Sequence, residues 1–154
     1  MISISKKFQK TINNKINFEG VGLHSGLKSK LTLHPAPVNY GINFVINKTT
    51  IPAHSNYVDS TLRSTNLLKN KNSIMTVEHL LSALYALEVN NLKIEVSECE
   101  IPILDGTSKM FFDEITRIGL KNQNEKCKEF IVNKFISFKS SKGIQFYLIP
   151  HDGY

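Results

Sequence analysis

The spacing of apolar residues changes along this chain, and that change limits the folds open to it. Apolar and polar residues alternate over residues 12–18, 31–33, 42–46 and 92–96, a period of two that is typical of half-buried strands. Over residues 76–88 the apolar residues recur every three or four positions instead, which predicts an amphipathic helix. A chain with both periods is neither all-helical nor all-β, so we expect an α+β fold.

A second segment of helical spacing covers residues 107–118 and predicts a second helix. Side-chain hydroxyls at a helix start accept hydrogen bonds from amides that lack a partner within the helix. We therefore expect Thr76 or Ser73 to cap the first helix. Thr107 or Ser108 is expected to cap the second.

The composition changes in the last quarter of the chain. Residues 121–128 are polar and charged without a period, which predicts a linker. Two apolar runs then flank a turn at 140–143 and predict a β-hairpin. A lone hairpin is only marginally stable, so this tail would pack on the first unit, pair with another chain or begin a further domain. We favour the last, with an α+β domain at 1–120 and the opening strands of an incomplete second domain at 129–154.

Charge and hydropathy argue against two classes of partner. The net charge is +6, but Lys supplies most of the basic residues and only Arg63 and Arg117 are Arg. Readout of nucleic-acid bases favours the Arg fork, so we expect no nucleic-acid partner. No apolar stretch approaches the roughly 20 residues of a membrane-spanning helix, and the N-terminus lacks an apolar signal segment. We therefore expect a cytoplasmic protein without a membrane span.

An adjacent Glu78-His79 pair opens the first predicted helix. The positive end of the helix dipole disfavours a charged imidazolium, so the His79 ring keeps a lone pair for a metal ion. The neighbouring Glu78 carboxylate is placed to accept a proton from a metal-bound water. The alternative is an exposed helix start without chemistry. Catalytic zinc takes about three protein ligands, and no HExxH or HxxxD spacing supplies them, so a metal site here is incomplete.

Two glycine-containing segments are further candidates. His24 lies in GVGLHSG, a tight connection between strands that would bring backbone and imidazole close to a ligand. The segment lacks the helix and Lys of a phosphate-binding loop, and an ordinary turn is the alternative. Asp105 opens a DGT segment, which is either a turn with a helix cap or a carboxylate that supports a site.

Four segments occur in one order along the chain: GVGLHSG, LTLHPAPVNYGINFVI, TVEHLLSALYALEVNN and EIPILDGTS. Together they resemble the N-terminal half of the bacterial UDP-3-O-acyl-N-acetylglucosamine deacetylases, the zinc amidases of lipid A biosynthesis. The resemblance runs from about Thr11 to the end of the chain. It implies two similar α+β domains with the active site between them, each a two-layer sandwich of a mostly antiparallel sheet against helices. This chain would supply the first domain, with two helices, and a terminal hairpin that begins the second.

The resemblance also implies roles for individual residues. His79 would be a zinc ligand, and Glu78 would be the general base that acts on the zinc-bound water. The substrate-binding positions would be His24, Thr61, Arg63 and Asp105. The remaining His and Asp zinc ligands and the catalytic acid belong to the second domain of the family, so the Zn²⁺ site would be incomplete in this chain.

The implied function is hydrolysis of the N-acetyl group of UDP-3-O-acyl-N-acetylglucosamine, with release of acetate. Because half of the site would be missing, we expect the chain to be inactive alone, unless a separate chain supplies the second domain. The alternatives are a non-catalytic domain that binds a sugar nucleotide or another partner, and the product of a broken gene.

Overall fold

A computed structural model describes residues 2–151 of the chain. The strands of this part are β1 (Ile2–Ile12), β2 (Ile16–Val21), β3 (Lys28–Pro35), β4 (Ile42–Ile46), β5 (Thr49–Pro52), β6 (Val58–Ser60), β7 (Asn66–Lys69), β8 (Asn72–Ile74), β9 (Leu92–Val96), β10 (Leu120–Phe130), β11 (Ile136–Lys139) and β12 (Gln145–Leu148). The helices are α1 (Glu78–Ala86) and α2 (Lys109–Ile118). Contacts divide the chain into two units, one of residues 9–125 and the other of both chain ends.

The larger unit is built on a five-stranded sheet in the order β2-β3-β9-β4-β5. Its neighbouring strands run antiparallel except for β4 and β9, which are parallel. Ile94 on β9 pairs with Leu33 on β3 and with Phe44 on β4. All three side chains are fully buried, so the alternating residues form one apolar face of the sheet.

Both helices pack on this apolar face. α1 buries Leu80 and Leu84, and α2 buries Phe111 and Ile115, in the same cluster as the sheet residues. The Phe111 ring meets the Phe18 ring of β2 edge to face, with centroids 5.0 Å apart. The sheet and the two helices therefore form two layers around one core, which confirms the expected α+β fold. Neither helix in residues 2–151 is long and apolar enough to cross a membrane.

A smaller antiparallel sheet, β6-β7-β8, leads into α1. Strands β7 and β8 are joined by a turn at residues 70–71. Leu67 and Ile74 anchor the sheet in the main core. After β8, Met75 makes an isolated parallel bridge with Glu100. The residues just before α1 are thus tied to the segment that follows β9.

The second unit contains the terminal hairpin. β11 and β12 pair antiparallel with Phe138 opposite Phe146, and Gly143 takes a positive φ of 82° in the turn between them. This hairpin confirms the expectation from the sequence. Its apolar side chains are mostly exposed, as shown by Phe138 at 61% and Phe146 at 58%.

Two expectations about the connecting segments are wrong. Residues 121–128 are not an aperiodic linker, because they lie inside β10, which pairs with β1. Most side chains on β10 are exposed, so the strand has no buried face and leaves no apolar alternation in the sequence. Residues 12–18 are not one strand either: β1 ends at Ile12 and β2 begins at Ile16, with a bend between them.

The expected cap of the first helix is wrong, whereas that of the second is confirmed in part. Val77 occupies the N-cap of α1 and makes no side-chain capping bond. Thr76 instead directs its hydroxyl to Glu100. Ser108 occupies the N-cap of α2, again without a side-chain capping bond, and the Thr107 hydroxyl accepts a hydrogen bond from the Lys109 amide at 3.0 Å.

Adjacent phenylalanines on α2 test where the core lies. Phe111 is 0% exposed and Phe112 is 37% exposed. We expect Phe111→Ala to lower the free energy of unfolding by about 3–5 kcal/mol, because it leaves a cavity in the core. The matched control Phe112→Ala should cost under about 1 kcal/mol. Urea denaturation followed by circular dichroism measures both, and equal losses would contradict this placement of α2.

Candidate functional site

Glu78 and His79 are the first two residues of α1, as the sequence predicts. Both are half-buried, and consecutive residues of a helix point about 100° apart. The Glu78 Oε2 accepts a hydrogen bond of 2.9 Å from the amide of Thr65. The Val77 amide donates back to the Thr65 carbonyl at 3.2 Å. The first bond holds one carboxylate oxygen of Glu78 in place, and the second ties the backbone of Thr65 to the residue before the helix.

The same bonds anchor the loop that precedes Thr65. This loop carries Thr61 and Arg63, both exposed, and Arg63 adopts a positive φ of 62°. Because Thr65 is fixed to the first turn of α1, the structure attaches the Thr61–Arg63 segment to the element that carries Glu78.

The glycine-rich segment forms the connection between β2 and β3. The Gly22 amide donates to the Leu27 carbonyl at 2.9 Å, and the Gly26 amide donates to the Gly22 carbonyl at 3.0 Å. Gly26 has a φ of +68°, a conformation that glycine adopts without steric cost. We call residues 22–27 the His24 loop, because His24 lies exposed within it.

Glu100 is the residue that organises this loop. Its side chain is 0% exposed, and its carboxylate accepts hydrogen bonds from the amides of His24 at 3.1 Å and Ser25 at 2.7 Å. The Thr76 hydroxyl donates a further bond of 2.7 Å. Burial acts to raise the pKa of the Glu100 carboxyl, but the bonds from Ser25, Thr76 and His24 outweigh it and hold that pKa below its ordinary value of 4.5. The buried group is therefore a carboxylate anion at neutral pH.

Thr76 is the other end of this arrangement. It is a β-branched residue with a positive φ of 63°, which is a sterically unfavourable conformation for such a side chain. The bridge beside it is closed by the Met75 amide, which donates to the Cys99 carbonyl at 2.8 Å, and by the Ile101 amide, which donates to the Met75 carbonyl at 3.3 Å. Glu100 thus connects the His24 loop to the residue two positions before Glu78.

Glu100 is a functional candidate that the sequence pattern alone does not single out. The signal available was a single acidic residue directly before the apolar run of residues 101–104. A charge at the edge of such a run is usually solvent-exposed, and residues 24 and 76 are too distant in sequence to indicate otherwise.

Asp105 has the geometry of a turn residue. It is exposed, and its carboxylate accepts bonds from the Thr107 amide at 3.0 Å and the Thr107 hydroxyl at 3.1 Å. Gly106 between them has a φ of +81°. These contacts are those of a turn with a helix cap, which is one of the two interpretations of this segment that the sequence allows.

The residues described do not by themselves fit a catalytic zinc ion. Within residues 2–151, no three His, Cys, Asp or Glu side chains are grouped so that they hold a metal, whereas such zinc takes about three protein ligands. His34 pairs with Glu95 at 2.8 Å, and His54 accepts a bond from the Asn56 amide at 3.2 Å. These two histidines have structural roles. The resemblance of the sequence assigns a metal-ligand role to His79 alone among the histidines of the chain.

The lowered pKa of Glu100 gives stability a pH dependence. A carboxyl whose folded pKa lies below its unfolded value contributes stability above the unfolded pKa, and this contribution is lost as the pH falls through the folded pKa. The difference in unfolding free energy between the native chain and Glu100→Gln should therefore be full at pH 6–7 and should shrink below about 4.5. Urea denaturation of both chains across this range measures it. A difference that stays constant or grows in acid would contradict the assignment.

Gly22 has no room for a side chain. A Cβ there would lie 2.3 Å from the Ser25 Oγ and 2.4 Å from the Glu100 Oε2, and the bonded carboxylate has little freedom to move. We expect Gly22→Ala to lower the free energy of unfolding by about 2–4 kcal/mol. Gly26→Ala is the control, since its Cβ meets nothing within 4 Å and only the positive φ costs about 1 kcal/mol. Equal losses in chemical denaturation would contradict the close approach at Gly22.

Comparisons of this chain with a family model and with single proteins agree on one family. The model of the family described as "LpxC: UDP-3-O-acyl N-acetylglycosamine deacetylase" matches residues 9–154. A UDP-3-O-acyl-N-acetylglucosamine deacetylase of Aquifex aeolicus is 44% identical over 126 residues, which are 82% of this chain and 44% of that protein. One from Legionella pneumophila is 43% identical over 151 residues, which are 95% of this chain and 49% of that protein.

A third relative is the bifunctional LpxC/FabZ enzyme of Chlorobaculum tepidum, which is 36% identical over 95% of this chain and 32% of its own length. The chain thus spans about half the length, or less, of the curated relatives that it matches. The match of the family model covers nearly the whole chain and includes His24, the Glu78-His79 pair and Glu100. This chain therefore belongs to the LpxC family of UDP-3-O-acyl N-acetylglycosamine deacetylases.

Proposed function

We propose that this chain supplies the amino-terminal part of an enzyme that hydrolyses the N-acetyl group of UDP-3-O-acyl-N-acetylglucosamine, a step of lipid A biosynthesis. Family membership supports the proposal. The observation that carries it is the Glu78 carboxylate on the first turn of α1, with one oxygen held by the Thr65 amide. A carboxylate fixed in this way is oriented for proton transfer.

Glu78 is proposed as the general base. It would take a proton from the water that attacks the carbonyl carbon of the acetamide. As the C–N bond then breaks, acetate leaves and the sugar amine takes a proton from an acid outside this chain. General bases of this kind contribute about 10²–10⁴-fold to the rate, which sets the scale for the loss expected when Glu78 is replaced.

His79 is proposed as one ligand of a Zn²⁺ ion. The other ligands would come from outside the described residues, since these hold no group of three. Such ligands would belong to a further segment of a longer protein or to a separate chain. The cytoplasmic location expected from the sequence stays a prediction.

The substrate-binding roles of His24, Thr61, Arg63 and Asp105 are also proposals. Exposure of all four side chains is compatible with ligand contact. The Arg63 guanidinium has the chemistry to bind a phosphate oxygen of the UDP group, and its loop is anchored to α1 through Thr65.

A second candidate function is a non-catalytic domain that binds a sugar nucleotide. The lack of a three-ligand metal group within residues 2–151 favours it. If this second function is correct, Glu78→Gln and His79→Ala should not change acetate release by a protein that contains this chain.

A chimera tests the proposal. In the Legionella relative, the matching half would be replaced by this chain, and acetate release from UDP-3-O-acyl-N-acetylglucosamine would be measured. We expect the chimera to be active and Glu78→Gln to lower kcat at least about 100-fold, because a general base is lost. The 154-residue chain assayed alone should release no acetate.

Glu98→Gln is the matched control, because it makes the same carboxylate-to-amide change as Glu78→Gln at a residue without a proposed role. It should keep activity within about threefold of the parent chimera, because substitutions away from a site usually have small effects. A folded chimera without activity, or one whose activity survives Glu78→Gln, would overturn the proposal. Full turnover by the chain alone would show that its zinc site is complete.

A further inference from the structure

We propose that Glu100 is a positioning residue: its buried carboxylate fixes the His24 loop to the turn that starts α1 and so presents the His24 side chain to the substrate. The contact of His24 with substrate rests on the proposed function. The fixing of the loop rests on the structure of the described residues alone.

The bonds from Glu100 to the loop go to backbone. Its carboxylate accepts from the amides of His24 and Ser25, and the His24 side chain stays exposed. An acceptor that takes up two successive amides determines the course of the backbone at those residues. The imidazole is thereby left available for a ligand while its Cα is held.

On its other side the carboxylate is bound to the helix start. The Thr76 hydroxyl donates to Oε1, while the Ser25 amide donates to Oε2. Thr76 lies two positions before Glu78, which Thr65 in turn holds by its amide. Glu100 therefore contacts both the proposed substrate-binding loop and the turn that precedes the proposed general base.

The burial of Glu100 indicates that the carboxylate has a specific role. A charge in a protein interior is costly unless it is fully hydrogen-bonded, and an apolar residue of similar size is often at least as stabilising at such a place. Gly22 approaches so closely that a Cβ would meet the Glu100 carboxylate. The loop is thus wrapped around the carboxylate, and an apolar side chain would leave its amides without acceptors.

Hydrogen exchange of the 154-residue chain tests the fixing of the loop. Glu100→Gln keeps the shape of the side chain but replaces one acceptor oxygen with a donor. We expect the amides of His24 and Ser25 to exchange about tenfold faster or more in this variant. Amides of the core strands β3 and β9 should keep their rates under conditions where the chain stays folded.

Glu95→Gln is the matched control, because Glu95 is bound at the surface of β9 by Lys93 and His34. It should leave exchange of the His24 loop unchanged. If Glu100→Gln left the two loop amides protected, or accelerated every amide equally through global unfolding, the proposed positioning role would be overturned.

A double-mutant cycle in the active chimera tests the link to His24. We expect Glu100→Gln to raise KM about tenfold with kcat changed less than about threefold, since it releases the His24 loop while the Thr65 amide still holds Glu78. In a His24→Ala background the same substitution should raise KM no further, because both act through one side chain. A full additional rise in that background would show that Glu100 acts independently of His24 and would overturn the link.

The two proposals fail in different ways. An inactive chimera would count against the proposed function, while exchange at His24 and Ser25 would still decide whether Glu100 holds the loop. Normal activity with an undisturbed loop in Glu100→Gln would remove the positioning role and leave the proposed function intact.

Discussion

A buried carboxylate needs donors on every side, and in this chain those donors come from segments far apart in the sequence. The Glu100 carboxylate accepts hydrogen bonds from the amides of residues 24 and 25 and from the hydroxyl of residue 76. The desolvation of the charge is offset only when all of these are in place. The conformation of the loop after β2 and of the turn before α1 is therefore a condition for burying Glu100, and each stabilises the other.

Much of the fold was predictable because the buried strands have one apolar face. Leu33, Phe44 and Ile94 all lie at alternating positions and meet in the sheet. Strands β1 and β10 were missed or misread for the opposite reason. The exposed side chains of β10 leave no period in the sequence, and its pairing with β1 depends on contacts across more than a hundred residues.

The site was predictable only in part. Glu78 and His79 could be placed at a helix start from the spacing of their neighbours, and the structure has them there. The capping roles of Thr76 and Ser73 could not be judged locally, because the hydroxyl of Thr76 has a more favourable acceptor in a buried anion. Glu100 itself has no periodic signal, since a single acidic residue is recognised as buried only when its tertiary partners are known.

The left-handed backbone of Thr76 limits which substitutions the protein can accept during evolution. A β-branched residue at a φ of 63° stores of order 1–3 kcal/mol of strain, and its hydroxyl bond to Glu100 compensates for that strain. Replacing Thr76 with Gly would relieve the strain but remove the bond, whereas replacing Glu100 alone would remove the bond and leave the strain. Substitutions at positions 76 and 100 should therefore be accepted together more readily than singly, so that the two residues behave as one unit of variation within the family.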